Sequence, residues 1–371
     1  MSNPIYEASA DARAPAASGC PAPGAGHASA GVSTEPYGPE IPDAILTAAE
    51  NSADNPYTCL AVCRAFEPAI AVILRHIVVQ SGNRVLGVLS YYERQSTLVI
   101  VNRLVEFDAE ILERCARTLF AAHPTAHRIV IDGVYDSAAR RGRRRAVPSR
   151  DWCAMENMTL SLPASFEQYL SHFGAKTRKN LRYCAKRFQR ENPDAEFVVL
   201  PRDAIDEDLV NRIIQLNQLR MTTKGHVSGI DTKFATGLLA LCRSHGVACI
   251  ARAPDGKILG GTLCTRVGDG LSLQVIAHDP QFNHVRLGLL CLLKSIETGI
   301  AAGARTFHFL WGESEYKALF GAHAAPLLSC RYYRSWLHYW LSFDDWREQI
   351  TQSTRRTAKR LRAAMRQAGK Q

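Results

Sequence analysis

Arg286, Leu287, Gly288 and Leu289 stand where an alternating run, residues 271–278, gives way to an apolar helical pattern. A helix starting there offers unpaired backbone N–H groups and the positive end of its dipole, worth about 0.3–1 kcal/mol to an exposed anion. Gly288 admits a close backbone approach, and Arg286 can add a charge-assisted bond. A phosphate or pyrophosphate is the ligand such a turn would take. The strand before it brings Gln274, Ile276 and Ala277, whose backbone can pair with an extended ligand as with an added strand. It ends on His278, and a histidine, the side chain suited to proton transfer near neutral pH, could there deprotonate an ammonium. Farther on, Gly312-Glu313-Ser314-Glu315-Tyr316-Lys317 follows the next strand. Tyr316 could protonate a leaving group, Glu315 could act as a base, and Lys317 could bind a phosphate or carboxylate. His308, within that strand, reads first as a pocket-wall histidine and second as a catalytic one.

These residues need elements to hold them, and the pattern supplies the same order twice. The first copy reads strand 76–80, turn at Gly82-Asn83, strands 85–92 and 97–101, helix 108–122, strand 128–132. The second reads strand 247–253, turn at Asp255-Gly256, strands 258–267 and 271–278, helix 285–302, strand 306–310. Turn glycines flanked by β-branched runs mark the hairpins. Leu289, Leu292, Leu293, Ile296 and Ile300 mark the second helix at three- and four-residue spacing. Such a meander, helix and strand is the core order of a GNAT domain. The expected fold is therefore α/β (α+β), two tandem GNAT-like halves with mixed, mostly antiparallel sheets flanked by helices. The first helix begins after Glu106 and Asp108, carboxylates that would repel a phosphate, so only the second half is expected to hold a ligand.

The expected boundaries are a disordered Ala/Gly/Pro-rich tail at 1–40, a first half at 41–138, an Arg-rich linker at 139–152, a second half at 153–345 and a basic C-terminal helix at 346–371. Within the second half, Ser165 with Gln168 forms a capping box. A basic helix over 177–191 follows, with Leu181, Cys184 and Phe188 as its buried stripe. Eleven scattered cysteines lack the spacing of a zinc site, and they read as small buried hydrophobes in a reducing cytoplasm. No apolar run reaches the ~18 residues of a membrane span. The net charge of +10 suits a phosphorylated ligand. Nucleic acid is not the expected partner, because no stacking aromatics accompany the basic helix.

Several motifs together resemble the CelD-type acetyltransferases of the GNAT superfamily, which are cellulose-biosynthesis-protein-like, and more distantly the FemAB peptidyltransferases. They are Ser165-Phe166-Glu167-Gln168-Tyr169-Leu170, Lys176-Thr177-Arg178-Lys179-Asn180-Leu181-Arg182, Leu287-Gly288-Leu289-Leu290 and the 312–317 box. The resemblance spans about residues 159–333. It implies an acyl-CoA or acetyl-CoA co-substrate, no metal, and a small or carrier-linked amine acceptor. It also implies that Arg178, Arg182, Arg220 and Lys224 line the acceptor site. The family usually has an Asp where this chain has His308, and often a Pro where it has Leu287. Two other readings stay open: a FemAB-like transferase drawing on aminoacyl-tRNA, and a non-catalytic module of polysaccharide assembly.

Overall fold

The computed structural model describes residues 31–136, 145–223, 225, 227–312 and 314–368. Its elements are β1 (Val32–Tyr37), α1 (Asp43–Ser52), α2 (Ala61–Phe66), α3 (Pro68–Ala71), β2 (Arg75–Ser81), β3 (Arg84–Arg94), β4 (Thr97–Ile100), α4 (Ala109–Ala122) and β5 (Arg128–Tyr135). There follow β6 (Ser149–Ser161), α5 (Phe166–Ser171), α6 (Ala175–Glu191), β7 (Glu196–Pro201), α7 (Glu207–Thr223), α8 (Thr232–His245), β8 (Gly246–Arg252) and β9 (Ile258–Val267). The chain ends with β10 (Gly270–His278), α9 (Leu287–Ala301), β11 (Thr306–Trp311), α10 (Glu315–Leu319), β12 (His323–Tyr333), α11 (Trp336–Leu341) and α12 (Phe343–Ala368). The fold is α/β, and the repeated order of strands and helix forms two GNAT-like halves.

The chain divides into two compact units. The N-terminal unit takes in Ile73–Glu156, Ala325–Gln371 and residues 31–46. Its strands run in the order β1-β2-β3-β4-β5-β12, antiparallel except where β4 meets β5. One face carries α4, whose Ile111, Leu112, Cys115 and Leu119 pack against Ile77, Leu98 and Ile129. The helix starts on Asp108, whose carboxylate accepts from Ile111 N at 2.8 Å.

The C-terminal unit takes in Asn157–Ala324 and Thr47–Val72. Its strand order is β6-β11-β10-β9-β8-β7, again antiparallel except between β10 and β11. One face of β10 and β11, through Leu271, Leu273, Phe307 and Phe309, packs on Leu292, Ile296 and Ile300 of α9. Burying each such side chain contributes roughly 1.5–3 kcal/mol. The opposite face packs Val275 and Ala277 under Ile213 and Leu216 of α7 and Leu238 of α8. Elsewhere α6 buries Leu181, Cys184 and Phe188, the stripe its spacing predicts. Ser165 caps α5 by accepting from Gln168 N at 3.1 Å.

Some expected boundaries are drawn differently here. Val32–Tyr37, inside the stretch read as a tail, pairs as a strand along β2, because its β-branched and aromatic residues fit that edge. Residues 1–30 lie outside the described residues. Thr47–Val72, read with the first half, is counted with the C-terminal unit, where Phe66 packs against Gly237 of α8. Of the Arg-rich linker, residues 139–144 lie outside the described residues; Arg145 pairs with Asp151 at 2.6 Å.

Candidate functional site

β10 and β11 start side by side and then part. Gly270, Leu271 and Ser272 pair in parallel with Thr306, Phe307 and His308, and the ladder records no further pair. Both strands are irregular at the point of departure. β10 has a bulge between Leu273 and Val275 in its pairing with β9, and β11 has one between His308 and Leu310 in its pairing with β6. Leu310 adopts a φ of 58°, a left-handed conformation unfavourable for a γ-branched side chain. An extra residue bends a strand and raises its twist. Two bulges back to back therefore open a gap whose closed end is the pair Ser272 and His308.

The closed end is polar. His308 is buried, and its Nε2 lies 3.0 Å from Asp54 Oδ2. Asn157 Nδ2 lies 3.5 Å from the other ring nitrogen, Nδ1. Asn55 Nδ2 donates to the second Asp54 oxygen at 2.7 Å. Burial pushes the Asp54 carboxyl up, but the hydrogen bond and charge of His308 outweigh it and hold the group below the usual carboxylate range. An ionised carboxylate can only accept, so His308 donates to it from Nε2, and Nδ1 faces the Asn157 amide. Beside it, Gln274 Oε1 accepts from Tyr57 OH at 3.1 Å, and its Nε2 donates to Thr265 Oγ1 at 2.9 Å. Tyr57 also meets Trp311 edge-on at 5.3 Å. Ser272 Oγ and Arg220 Nε are buried without a hydrogen-bond partner among the described residues.

Asp54, Asn55 and Tyr57 were not singled out from the sequence, although they reach this face from the chain's first quarter. A signal existed in Gly270. A Cβ there would come within 1.6 Å of the Asp54 carbonyl oxygen, so only glycine lets the segment lie against the strand. Read alone, that glycine looks like the end of a turn.

The open end of the gap is a different environment. α9 starts at Leu287, preceded by Arg286 in a left-handed conformation (φ 53°, ψ 42°) and without a side-chain cap. Arg286 is exposed, whereas Leu287 and Gly288 are buried and Leu289 is partly so. A Cβ at Gly288 would lie 2.7 Å from His278 Nδ1. The glycine is thus required by the imidazole stacked against it, a reason additional to ligand approach. His278 Nε2 in turn lies 2.8 Å from Asn283 Oδ1, which ties the strand end to the turn leading into α9. The basic helix α6 abuts that turn through Phe188 on Phe282, at 5.9 Å, and through Glu191 Oε2 on His284 Nε2, at 2.7 Å.

The remaining predicted residues are scattered around these two ends. The Ile276 carbonyl accepts from Asn217 Nδ2 at 3.2 Å, and Ala277 is fully buried. Tyr316 lies on α10, its ring 6.3 Å from that of Phe309 at the β11 bulge. Arg220 of α7 is near enough to feel the Tyr316 hydroxyl, and burial lowers its pKa. Glu315 is exposed at the start of α10. Lys317 is turned inward: its Nζ donates to the carbonyls of Trp311 at 2.7 Å, Gly312 at 2.9 Å and Leu310 at 3.4 Å. Burial pushes its ammonium pKa down to about 7. Its three carbonyl partners fasten it to the end of β11, so its nitrogen is already engaged within the protein. Arg178 donates to the Ser171 carbonyl at 3.2 Å, and Arg182 is exposed on α6. Lys224 and Glu313 lie outside the described residues. Among the described residues, no group of three or more His, Cys, Asp or Glu could hold a metal ion. No helix among them is long and apolar enough to cross a membrane.

Comparison with known proteins agrees with this architecture. Residues 175–318 match the acetyltransferase (GNAT) domain family. Nothing among curated proteins matches the chain. Among solved structures it is similar to FemX, at 12% identity and a TM-score of 0.60, over 80% of this chain and 96% of that one. It is similar to L-PGS from Bacillus licheniformis at 13% identity and a TM-score of 0.51, over 81% and 94% of the two chains. A conserved protein of unknown function from Bacteroides thetaiotaomicron VPI-5482 aligns at 13% identity and a TM-score of 0.50, over 79% and 96%. At these identities the likeness is one of fold. The chain carries a GNAT domain and is a transferase of the acyltransferase type.

Proposed function

We propose that the chain transfers an acetyl or longer acyl group from acyl-CoA to a small or carrier-linked amine in the gap between β10 and β11. The observation that carries this reading is the parting of the two strands after Ser272 and His308, with a cationic, uncapped helix start at the far end. From Ser272 to His278 is six strand steps, about 20 Å at ~3.3 Å each. That length suits a donor with its phosphates at α9 and its reactive end at His308.

In this reading Arg286 and the first amides of α9 hold the phosphates, with Leu287, Gly288 and Leu289 forming the turn. His278 keeps that turn in place, which sets it apart from the chemistry at the closed end. The thioester supplies an activated acyl carbon. His308 Nδ1 takes the ammonium proton, Asp54 holds the ring in the accepting tautomer, and the amine nitrogen bonds to the acyl carbon as the carbon–sulfur bond breaks. Tyr316 protonates the departing sulfur and regains a proton from the nitrogen, which gives up its second one on becoming an amide. Arg220, whose Nε has no partner among the described residues, would hold an anionic group of the acceptor. The polar lining of Ser272, Thr265, Gln274 and His308 favours an occupied gap over one closed by an apolar plug. The CelD-like motifs point the acceptor toward polysaccharide assembly, and a CoA-dependent reaction places it in the cytoplasm.

A thermal-shift series of acetyl-CoA, longer acyl-CoAs and free CoA tests the donor. A specific donor raises the unfolding temperature by mass action, and the best-fitting chain length raises it most. Absence of any shift at millimolar ligand would sink the reading. Activity that ribonuclease destroys would replace acyl-CoA with aminoacyl-tRNA.

A further inference from the structure

Burying large apolar side chains is the main source of folding energy, so a row of them left in solvent needs a partner. α11 and α12 carry such a row. On α11, Trp336, Leu337, Trp340 and Leu341 are 61%, 65%, 60% and 58% exposed. The same helix is anchored on its other side. Tyr339 meets Tyr333 edge-on at 5.4 Å, and the buried Arg150 guanidinium lies 4.6 Å from its ring. The four apolar side chains are thus presented outward by a helix that is itself held down.

α12 extends the row. Phe343, Ile350, Leu361 and Met365 are 71%, 61%, 59% and 66% exposed. Their spacings of seven, eleven and four residues return to one face at about 3.6 residues per turn. The opposite face is the one that meets the protein. Asp345 is buried there and accepts from Arg128 and from Tyr333 OH at 2.9 Å. Farther along that face, Glu348 lies 3.6 Å from Arg331 and Arg356 lies 3.5 Å from Glu156.

The charge of the segment selects the partner. After Glu348 the sequence holds no acidic residue, and it contains Arg355, Arg356, Lys359, Arg360, Arg362, Arg366 and Lys370. A second copy laid on this face would bring two such cationic runs together. An anionic bilayer offers the opposite charge beside an apolar interior, and Trp and Phe are the side chains that settle at that boundary. We propose that α11 and α12 form a docking surface for an anionic lipid bilayer, lying along the membrane without crossing it. Trp336, Leu337, Trp340, Leu341 and Phe343 enter the headgroup layer, and the net positive charge of the segment after Glu348 draws it to lipid phosphates.

The full chain, sedimented with vesicles and no acyl donor, tests this separately from the proposed reaction. It is expected to sediment with phosphatidylglycerol-containing vesicles and to stay in solution with pure phosphatidylcholine, with binding weakened by added salt. Tryptophan emission is expected to move to shorter wavelength as Trp336 and Trp340 leave water. The double variant L337E/F343E, altered at two exposed positions, is expected to keep the wild-type unfolding temperature and to bind at least about tenfold more weakly. Wild-type protein that ignores anionic vesicles at low salt overturns the proposal, and so does an L337E/F343E chain that binds like wild type. Light scattering that shows a dimer abolished by L337E/F343E would assign the face to a second copy and overturn it too.

Discussion

The two halves share an element order and differ at the place where a ligand would bind. In the N-terminal unit, β4 and β5 pair from Thr97 with Arg128 through Ile100 with Ile131. The backbone then closes what would be the gap: Val105 N donates to Gly133 O, and Tyr135 N donates to Val105 O, both at 3.0 Å. In the C-terminal unit the corresponding ladder ends after Ser272 and His308. The helix starts differ in the same sense. Asp108 fills the start of α4 with its own carboxylate, whereas Arg286 leaves the start of α9 uncapped and brings a positive charge. The same scaffold is self-satisfied in one half and left wanting in the other. A gap is built by withholding hydrogen bonds and a cap that the other half uses.

The sharpest way to break this comparison is at the closed end. H308A is expected to lower kcat/KM by about 10²–10³-fold, as loss of a general base does, while leaving acyl-CoA affinity near wild type. Steady-state kinetics with calorimetry on the same variant would separate the two. D54N keeps the shape but loses the charge that orients His308, with an expected loss of about tenfold or more. D54N also has a pH signature. Asp54 is held below the usual carboxylate range in the folded chain, so its contribution is full above about pH 4 and is lost as pH falls through the lowered value. The stability difference between wild type and D54N, followed by urea unfolding, is therefore expected at pH 7 and should vanish in acid. A difference that grows in acid would contradict the hydrogen bond from His308 to an ionised Asp54.

Smaller effects sharpen the comparison at the helix starts. G288A puts a Cβ 2.7 Å from His278 Nδ1 and must displace the ring from Asn283. It is expected to weaken acyl-CoA binding several-fold, with little effect on the chemical step. D108A, in the half without a gap, is expected to cost about 1 kcal/mol of stability and to leave acyl-CoA binding unchanged.

The elements framing the site could be read from sequence because they rest on local spacing. The alternation of β10, the stripe of α9 and the Ser165 cap each involve neighbours within a few residues. The acidic start of α4 was legible for the same reason, and in the structure Asp108 caps that helix. The closed end was not legible. Asp54 meets His308 across 254 positions of chain, and Tyr57 meets Gln274 across 217. No periodicity reports contacts at that range. Lys317 misled in a related way: its type and place suited an anion, but the bend at Leu310 turned three carbonyls toward it.

The most direct test of one open and one closed half is calorimetric titration of acetyl-CoA into wild type and R286D, which gives α9 the acidic start of α4. One site per chain is expected, weakened about tenfold or more in R286D. Two sites per chain, or equal affinity in both proteins, would contradict the assignment of the donor to the gap between β10 and β11.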